Sequence, residues 1–187
     1  MTEATGEIGK GFSVNVARSW EDAFFNYSEL PTRLIALRMA IVLGKDGGVL
    51  MPLTKLVKFG LGGKQGNGKQ MFSWLHAEDL YRMILFLKDH KELSGVFNAS
   101  APAPITNEVL MKSVRRYSST PVALPAPSWL LKFGAVIINT ETELVLKSRW
   151  VLPDRLLKQG FTFKFNSIEN ALQNLLQAPK ISGKDKI

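Results

Sequence analysis

The segment Arg33–Leu43, RLIALRMAIVL, is an almost unbroken apolar run that stops at Gly44. A half-buried strand alternates apolar and polar residues. A continuous run therefore predicts a strand buried on both faces, as in a parallel sheet. Parallel neighbours must be joined by crossovers, usually helical, and the flanking sequence supplies them. Val16, Trp20, Ala23, Phe24 and Tyr27 recur at helical spacing within Phe12–Leu30, and Pro31 closes that segment. After the Lys45-Asp46-Gly47-Gly48 turn, Val49, Leu50, Leu53, Leu56 and Val57 line one side of a second helix. Pro52 sits in its first turn, where a missing N–H costs little.

Further along, a glycine-dense loop covers Gly60–Gly68, Gln70–Leu75 (QMFSWL) reads as a short strand, and Glu78–His90 as an amphipathic helix. Val96–Ala99 is a strand candidate. Thr106 or Asn107 is placed to cap a helix running to about Tyr117. Pro121–Pro127 carries three prolines and must be extended or turn. Ser128–Ile138 and Glu141–Trp150 read as helices, and Phe161–Phe165 alternates at period two, the pattern of a half-buried strand. Ser167 caps a last helix bearing Ile168, Ala171, Leu172, Leu175 and Leu176, before a polar tail. Strands alternate with helices, so the fold class is α/β.

The composition narrows the chemistry. Among 187 residues there is no cysteine, which removes disulfides, thiolate metal sites and a cysteine nucleophile. Two histidines, His76 and His90, leave little scope for a histidine-rich metal site. The best candidates for a membrane-spanning helix are interrupted by Arg38 and Lys132, and the N-terminus lacks a secretory pattern. No membrane association is expected, and a cytoplasmic setting is. The net charge of +8 is unevenly spread: no acid lies between Asp46 and Glu78, or between Glu108 and Glu141. These basic stretches suit either an anionic ligand such as a phosphate or diphosphate, or plain solvated faces. No nucleic-acid recognition motif accompanies them, so no nucleic-acid partner is expected.

Two motifs mislead. The glycine loop spells GxxGxxG from Gly60 to Gly66, and Gly63 to Lys69 nearly spells a phosphate-binding loop. Both motifs require a strand before the loop and a helix after it, whereas here a helix precedes and a strand follows. Gln70 also occupies the place of the magnesium-binding Ser or Thr. His76 and Asp79 are three residues apart, but no G-x-S-x-G elbow supports a hydrolase. Asp79 is read as a helix-start decoration, and Glu78 with Asp79 as helix surface. Tyr27, Tyr81 and Tyr117 are not followed four residues later by lysine, so the Tyr-x-x-x-Lys proton-transfer pair is not in this sequence.

Taken in order, five stretches resemble the C-terminal part of an extended short-chain dehydrogenase/reductase of the NAD(P)-dependent epimerase-like family. They are Leu37–Gly44 with Gly47-Gly48; Gly60–Gly63 through Gly66, Gly68 and Gln70; Ser73-Trp74-Leu75-His76 with Asp79; Gly95–Pro102; and Val151–Pro153 through Leu156-Leu157 to Gly160-Phe161. The nearest branch is that of predicted nucleoside-diphosphate-sugar epimerases with a small C-terminal domain. The resemblance implies a partial Rossmann-type, doubly wound sheet over residues 1–92, a small α/β substrate-side domain over 93–178 and a flexible tail over 179–187. It implies NAD or NADP as cofactor, with Arg38 and Gly44 on the cofactor side. It also implies a small-molecule substrate such as a nucleotide sugar, lined by Gly48, Gln70, Trp74 and His76. For Arg38 a simple ion pair, for Trp74 a core role and for His76 a hydrogen-bonded structural role stand beside those assignments.

The family's dinucleotide fingerprint lies in its first strand–turn–helix, and its catalytic tyrosine just upstream of the stretch matched by Thr2-Glu3. Neither is in this sequence. The chain is therefore expected to be a substrate-side portion, inactive alone, completed by a missing N-terminal half or by a homodimer partner. A non-catalytic binding or interaction module derived from the same fold is the alternative. Either way, an open sheet edge is expected along Arg33–Leu43.

Overall fold

The computed structural model describes residues 1–6, 9, 11–27, 31–45, 47–120, 124, 148 and 150–177. The expected helices Ser128–Ile138 and Glu141–Trp150 apart from Ser148 and Trp150, the proline-rich segment apart from Leu124, and the tail lie outside the described residues. The chain divides into two units. Unit one comprises Met1–Val42, Ser73–Pro104 and Trp150–Lys164, and unit two comprises Leu43–Phe72, Ile105–Arg149 and Phe165–Ile187.

Unit one is built on a parallel pair. β1 (Ile35–Met39) runs beside β5 (Gly95–Ala99) with Ile35 opposite Gly95, Leu37 opposite Phe97 and Met39 opposite Ala99. The ladder continues at both ends through Gly95 N–H to Leu34 O and Ala40 N–H to Ala99 O. The run Arg33–Leu43 is not one strand. It breaks at Ala40, and β2 (Ile41–Leu43) turns to a different neighbour, β4 (Trp74–His76), with Ile41 N–H donating to Ser73 O. Nor is it buried on both faces, since Arg38 and Met39 are exposed and only Leu43 is fully buried. Apolar composition reports the average environment of a run, but it is silent about a change of partner inside it.

QMFSWL breaks in the same way. β3 (Met71–Phe72) pairs antiparallel with β6 (Ile105–Thr106) in unit two, while β4 belongs to unit one. The chain passes from one unit to the other at Phe72–Ser73, which is where the strand expectation fails.

Helix α3 (Ala77–Asp89) follows β4 directly and crosses to β5. Its Met83 and Leu87 are four residues apart and join Leu75, Leu93, Phe97, Ala99, Leu156 and Phe161 in the core of unit one. Arg33 closes the far end of α3. Its guanidinium donates to the carbonyls of Leu87 (2.6 Å), His90 (2.9 Å), Leu93 (2.8 Å) and Lys88 (3.1 Å). A helix end leaves carbonyls without intrahelical partners, and a cation there also meets the negative end of the helix dipole. The short helix α5 (Asp154–Lys158) drives Leu156 into this core.

Helix α1 (Phe12–Phe25) begins where the periodicity places it but ends earlier than expected, and none of its residues is buried. Phe12 is 84% exposed and Trp20 73%. The expected strand Phe161–Phe165 is absent as well. Phe161 and Phe165 are buried and Thr162 and Lys164 exposed, so the alternation is real. Within unit one, however, the Lys164 N–H donates to the Asp79 carboxylate at 2.9 Å rather than to a strand.

Among the described residues, unit two packs three helices. Leu50, Leu53 and Val57 of α2 (Leu50–Lys58) and Leu110, Met111 and Val114 of α4 (Asn107–Tyr117) are buried. So are Ile168, Ala171, Leu172 and Leu175 of α6 (Ile168–Gln177). Both expected caps form: Thr106 Oγ1 accepts from Val109 N–H and Ser167 Oγ from Asn170 N–H, each at 3.3 Å.

Replacing Arg33 by Met keeps the apolar stem but strips four carbonyls of their donor. The expected cost is about 2 kcal/mol, read as a lower urea midpoint at unchanged slope; an unshifted midpoint would show that water serves those carbonyls equally well.

Candidate functional site

Arg38, Trp74 and His76 lie in unit one, and Gly44, Gly48 and Gln70 in unit two. On β1, the Arg38 guanidinium makes a two-pronged ion pair with Glu21 of α1, through Nε at 2.9 Å and Nη2 at 2.5 Å. That hydrogen bond, reinforced by the Glu21 and Glu3 charges, raises its pKa further against a smaller effect of burial. Fork-to-fork geometry of this kind is directional as well as strong, so Arg38 ties α1 to β1.

Trp74 is wholly buried, with its indole Nε1–H donating to Ala103 O at 2.9 Å while its own carbonyl accepts from Ala101 N–H. It therefore fixes the segment 101–103. His76 is buried too and is the N-cap of α3: its Nδ1 accepts the Glu78 N–H at 3.0 Å. Accepting at Nδ1 requires an unprotonated nitrogen there, so the neutral ring carries its proton on Nε2. In this geometry that nitrogen serves the N-terminus of α3.

Asp79 corrects the sequence reading. It has no exposed surface, whereas a helix-surface carboxylate was expected. Its Oδ1 accepts from Arg82 at 2.8 Å and from the Lys164 N–H at 2.9 Å, which anchors residues 161–164 to α3. Glu78 behaves as expected on the surface and meets Lys164 Nζ at 2.6 Å. The signal for a buried Asp79 was its helical spacing to Met83 and Leu87, on the core side.

In unit two, Gly48 lies at φ +60° just before Val49, the N-cap of α2, a conformation that favours glycine. Gly44 leads from β2 into the same turn. Gln70 donates its side-chain amide to Gln65 O at 3.0 Å, and its own carbonyl accepts the Asn107 N–H. The glycine loop is preceded by α2 and followed by β3, the reverse of both phosphate-loop motifs. Its carbonyls point at α4: Gln70 O takes the Asn107 N–H at 2.9 Å and Gly68 O the Glu108 N–H at 3.0 Å. The donors that a phosphate would need at this helix start are thus satisfied by the loop itself. Gly68, at φ +74°, is needed for the wrap, since a Cβ there would lie 3.0 Å from that of Lys64.

Sequence reasoning missed two buried polar sets. One is a reciprocal amide pair. Gln65 N–H donates to Asn107 Oδ1 at 2.9 Å and Asn107 Nδ2 donates to Gln65 Oε1 at 3.2 Å, both residues being nearly inaccessible. The other lies around the carboxyl end of β5, where open α/β sheets usually bind ligands. Ser73 Oγ accepts the Val151 N–H, Asn98 Nδ2 donates to Leu152 O and Ser100 Oγ donates to Val151 O. The Glu3 carboxylate accepts from Asn98 N–H at 2.9 Å and Arg155 N–H at 3.3 Å. The legible trace was an Asn inside the apolar run Val-Phe-Asn-Ala. Among the described residues no group of three or more His, Cys, Asp or Glu is placed to hold a metal ion, and no helix is long and apolar enough to cross a membrane.

Residues 126–175 match a family described as a domain of unknown function, DUF1731. Over 177 residues the chain is 32% identical to an epimerase family protein of Staphylococcus epidermidis, covering 95% of this chain and 58% of that protein. A human epimerase family protein solved with NADPH superposes at a TM-score of 0.82 with 27% identity, over 96% of this chain and 60% of that one. A nucleoside-diphosphate sugar epimerase from Corynebacterium glutamicum superposes at 0.74 with 29% identity, over 94% of this chain and 33% of that one.

His76→Ala is expected to lower stability by about 1 kcal/mol through loss of the helix cap, and His76→Asn, which can also cap, to restore most of it. Thermal melts of the two variants decide the matter: equal losses would mean that the imidazole serves something other than the α3 N-terminus. The chain spans 58% of the length of the Staphylococcus epidermidis relative, and its fold is the Rossmann-type α/β fold of epimerase-like short-chain dehydrogenases/reductases.

Proposed function

We propose that these 187 residues are the substrate-side portion of an NAD(P)-dependent oxidoreductase resembling sugar-nucleotide epimerases. The observation that carries this reading is the glycine loop. It is the one glycine-rich segment that spells a phosphate-binding spacing, and the carbonyls of Gly68 and of Gln70 just beyond it are spent on the first turn of α4. A dinucleotide needs backbone N–H groups and a helix N-terminus facing its pyrophosphate, and the loop offers carbonyls instead.

Among the described residues, the candidates on the cofactor side do not complete a cofactor site. Arg38 is committed to Glu21, which leaves Gly44 as the cofactor-side candidate without a polar side chain. Toward substrate, Gly48 and Gln70 are the candidates that the sequence supplied in unit two. Trp74 and His76, both buried, act as positioning residues that fix segment 101–103 and the start of α3. Support for an NAD(P) setting comes from likeness to the human protein solved with NADPH. Support for a nucleotide-sugar substrate comes from likeness to the Corynebacterium glutamicum nucleoside-diphosphate sugar epimerase.

The 187-residue chain is expected to show no saturable quenching of tryptophan fluorescence by NADPH in the micromolar range, with exposed Trp20 and Trp150 as reporters. A micromolar dissociation constant would overturn the reading of the loop. Among the described residues, β1 pairs with β5 alone, so its second edge is open to a homodimer partner or a further segment. Sedimentation is expected to show association that grows with concentration and weakens in Met39→Lys; an ideal monomer throughout would contradict this.

A further inference from the structure

The charge of this protein is segregated between its units. Among the described residues, unit one carries nine Lys and Arg against eight Asp and Glu, whereas unit two carries eight against two. The pairing differs as well. The ion pairs Arg38–Glu21, Arg82–Asp79, Lys88–Asp89, Lys158–Asp154 and Lys164–Glu78 all lie in unit one. Lys55 and Lys58 of α2 and Lys112, Arg115 and Arg116 of α4 make none among the described residues. The two acid-free stretches of the sequence therefore meet in one compact body.

They meet at a defined place. A Cβ added at Gly62 would lie 3.3 Å from Val57 Cγ2 and 3.6 Å from Arg115 Cδ, so this glycine is flanked by the last turn of α2 and the stem of Arg115. The turn around it is pinned by Gly63 N–H to Leu124 O at 3.1 Å and Leu124 N–H to Gly60 O at 2.8 Å. Lys112, Arg115 and Arg116 stand at i, i+3 and i+4, where like charges repel along a helix. The described carboxylates of unit two are Glu108, in the first turn of α4, and Glu169, which receives a bond from Ser113. Compensation of helix dipoles does not account for the excess. Two helix C-termini present roughly one negative charge together, against the cations Lys55, Lys58, Arg115 and Arg116 in their last turns.

We propose that the adjoining C-terminal turns of α2 and α4, with Gly62 between them, form a binding surface for the phosphate or diphosphate of a small ligand, and that the Arg115 guanidinium is its directional group. The proposal deepens the substrate-side reading above and rests on it for the identity of the ligand, not for the existence of the surface. A planar guanidinium matches two phosphate oxygens at once, and the surrounding lysines add field rather than geometry.

Calorimetric titration of the full 187-residue chain with inorganic pyrophosphate tests it. Saturable binding is expected, weakening as salt rises. Arg115→Gln should lower affinity about tenfold, the scale of one lost charge-assisted contact, with Arg115→Lys recovering only part. The double variant Lys58→Gln/Lys112→Gln should also bind more weakly, and it carries the test if Arg115→Gln does not fold. Lys91→Gln, an exposed cation of unit one, should bind as the parent does. Undiminished binding in the folded Arg115 variant, an equal loss in Lys91→Gln, no binding of pyrophosphate, or tighter binding of a single-stranded oligonucleotide would each overturn the proposal. The NADPH titration is read separately, so a failure here is distinguishable from a failure of the substrate-side assignment.

Discussion

Unit one depends on how β5 is satisfied along both of its edges. On one side β1 supplies a parallel ladder from Ile35 to Met39. On the other, side chains do the work of a strand: Arg155 donates to Val96 O and Ser94 O, and Glu3 accepts the Asn98 N–H. Buried backbone groups must be bonded somewhere, and here the partners come from α5 and from the N-terminal segment. The Arg155 guanidinium also lies 4.0 Å from the Phe97 ring centroid, which places the cation over the core aromatic that β5 contributes. Strand, helix and N-terminal segment thus hold one another through a single arginine and a single glutamate.

The longer helices of the described residues were legible because their apolar residues recur at a period that survives any choice of neighbour, whereas the five-residue α5 is too short to show one. Val57, Leu87, Val114 and Leu172 are buried as spacing requires. Strands were legible in place but not in extent. Arg33–Leu43 and Gln70–Leu75 each change partner midway, at Ala40 and at Ser73, and neither residue type announces it. Phe161–Phe165 shows the converse: alternating burial created by a loop laid over a core, with Asp79 supplying the hydrogen bond that a strand would have received.

For the site, what the sequence could state was negative. The order helix–loop–strand around the glycines excluded a phosphate loop, and the structure adds the reason in the carbonyls of Gly68 and Gln70 turned onto α4. The roles of Trp74, His76 and Arg38 were open between ligand contact and structural support. Their hydrogen bonds to Ala103, Glu78 and Glu21 supply the structural half of each alternative. What no spacing could disclose was the meeting of Gly62 with Arg115, because residues fifty positions apart in sequence share no periodicity.

Finishing a strand edge with side chains has a cost that a neighbouring strand does not carry. A ladder fails only when many bonds fail together, but the outer border of β5 is a latch with two moving parts. Losing the guanidinium at position 155 would leave the carbonyls of Ser94 and Val96 bare along an apolar ribbon, a template onto which an unrelated extended peptide could zip. A lineage that drifts at this arginine would meet its penalty as insoluble protein well before any change in chemistry became visible.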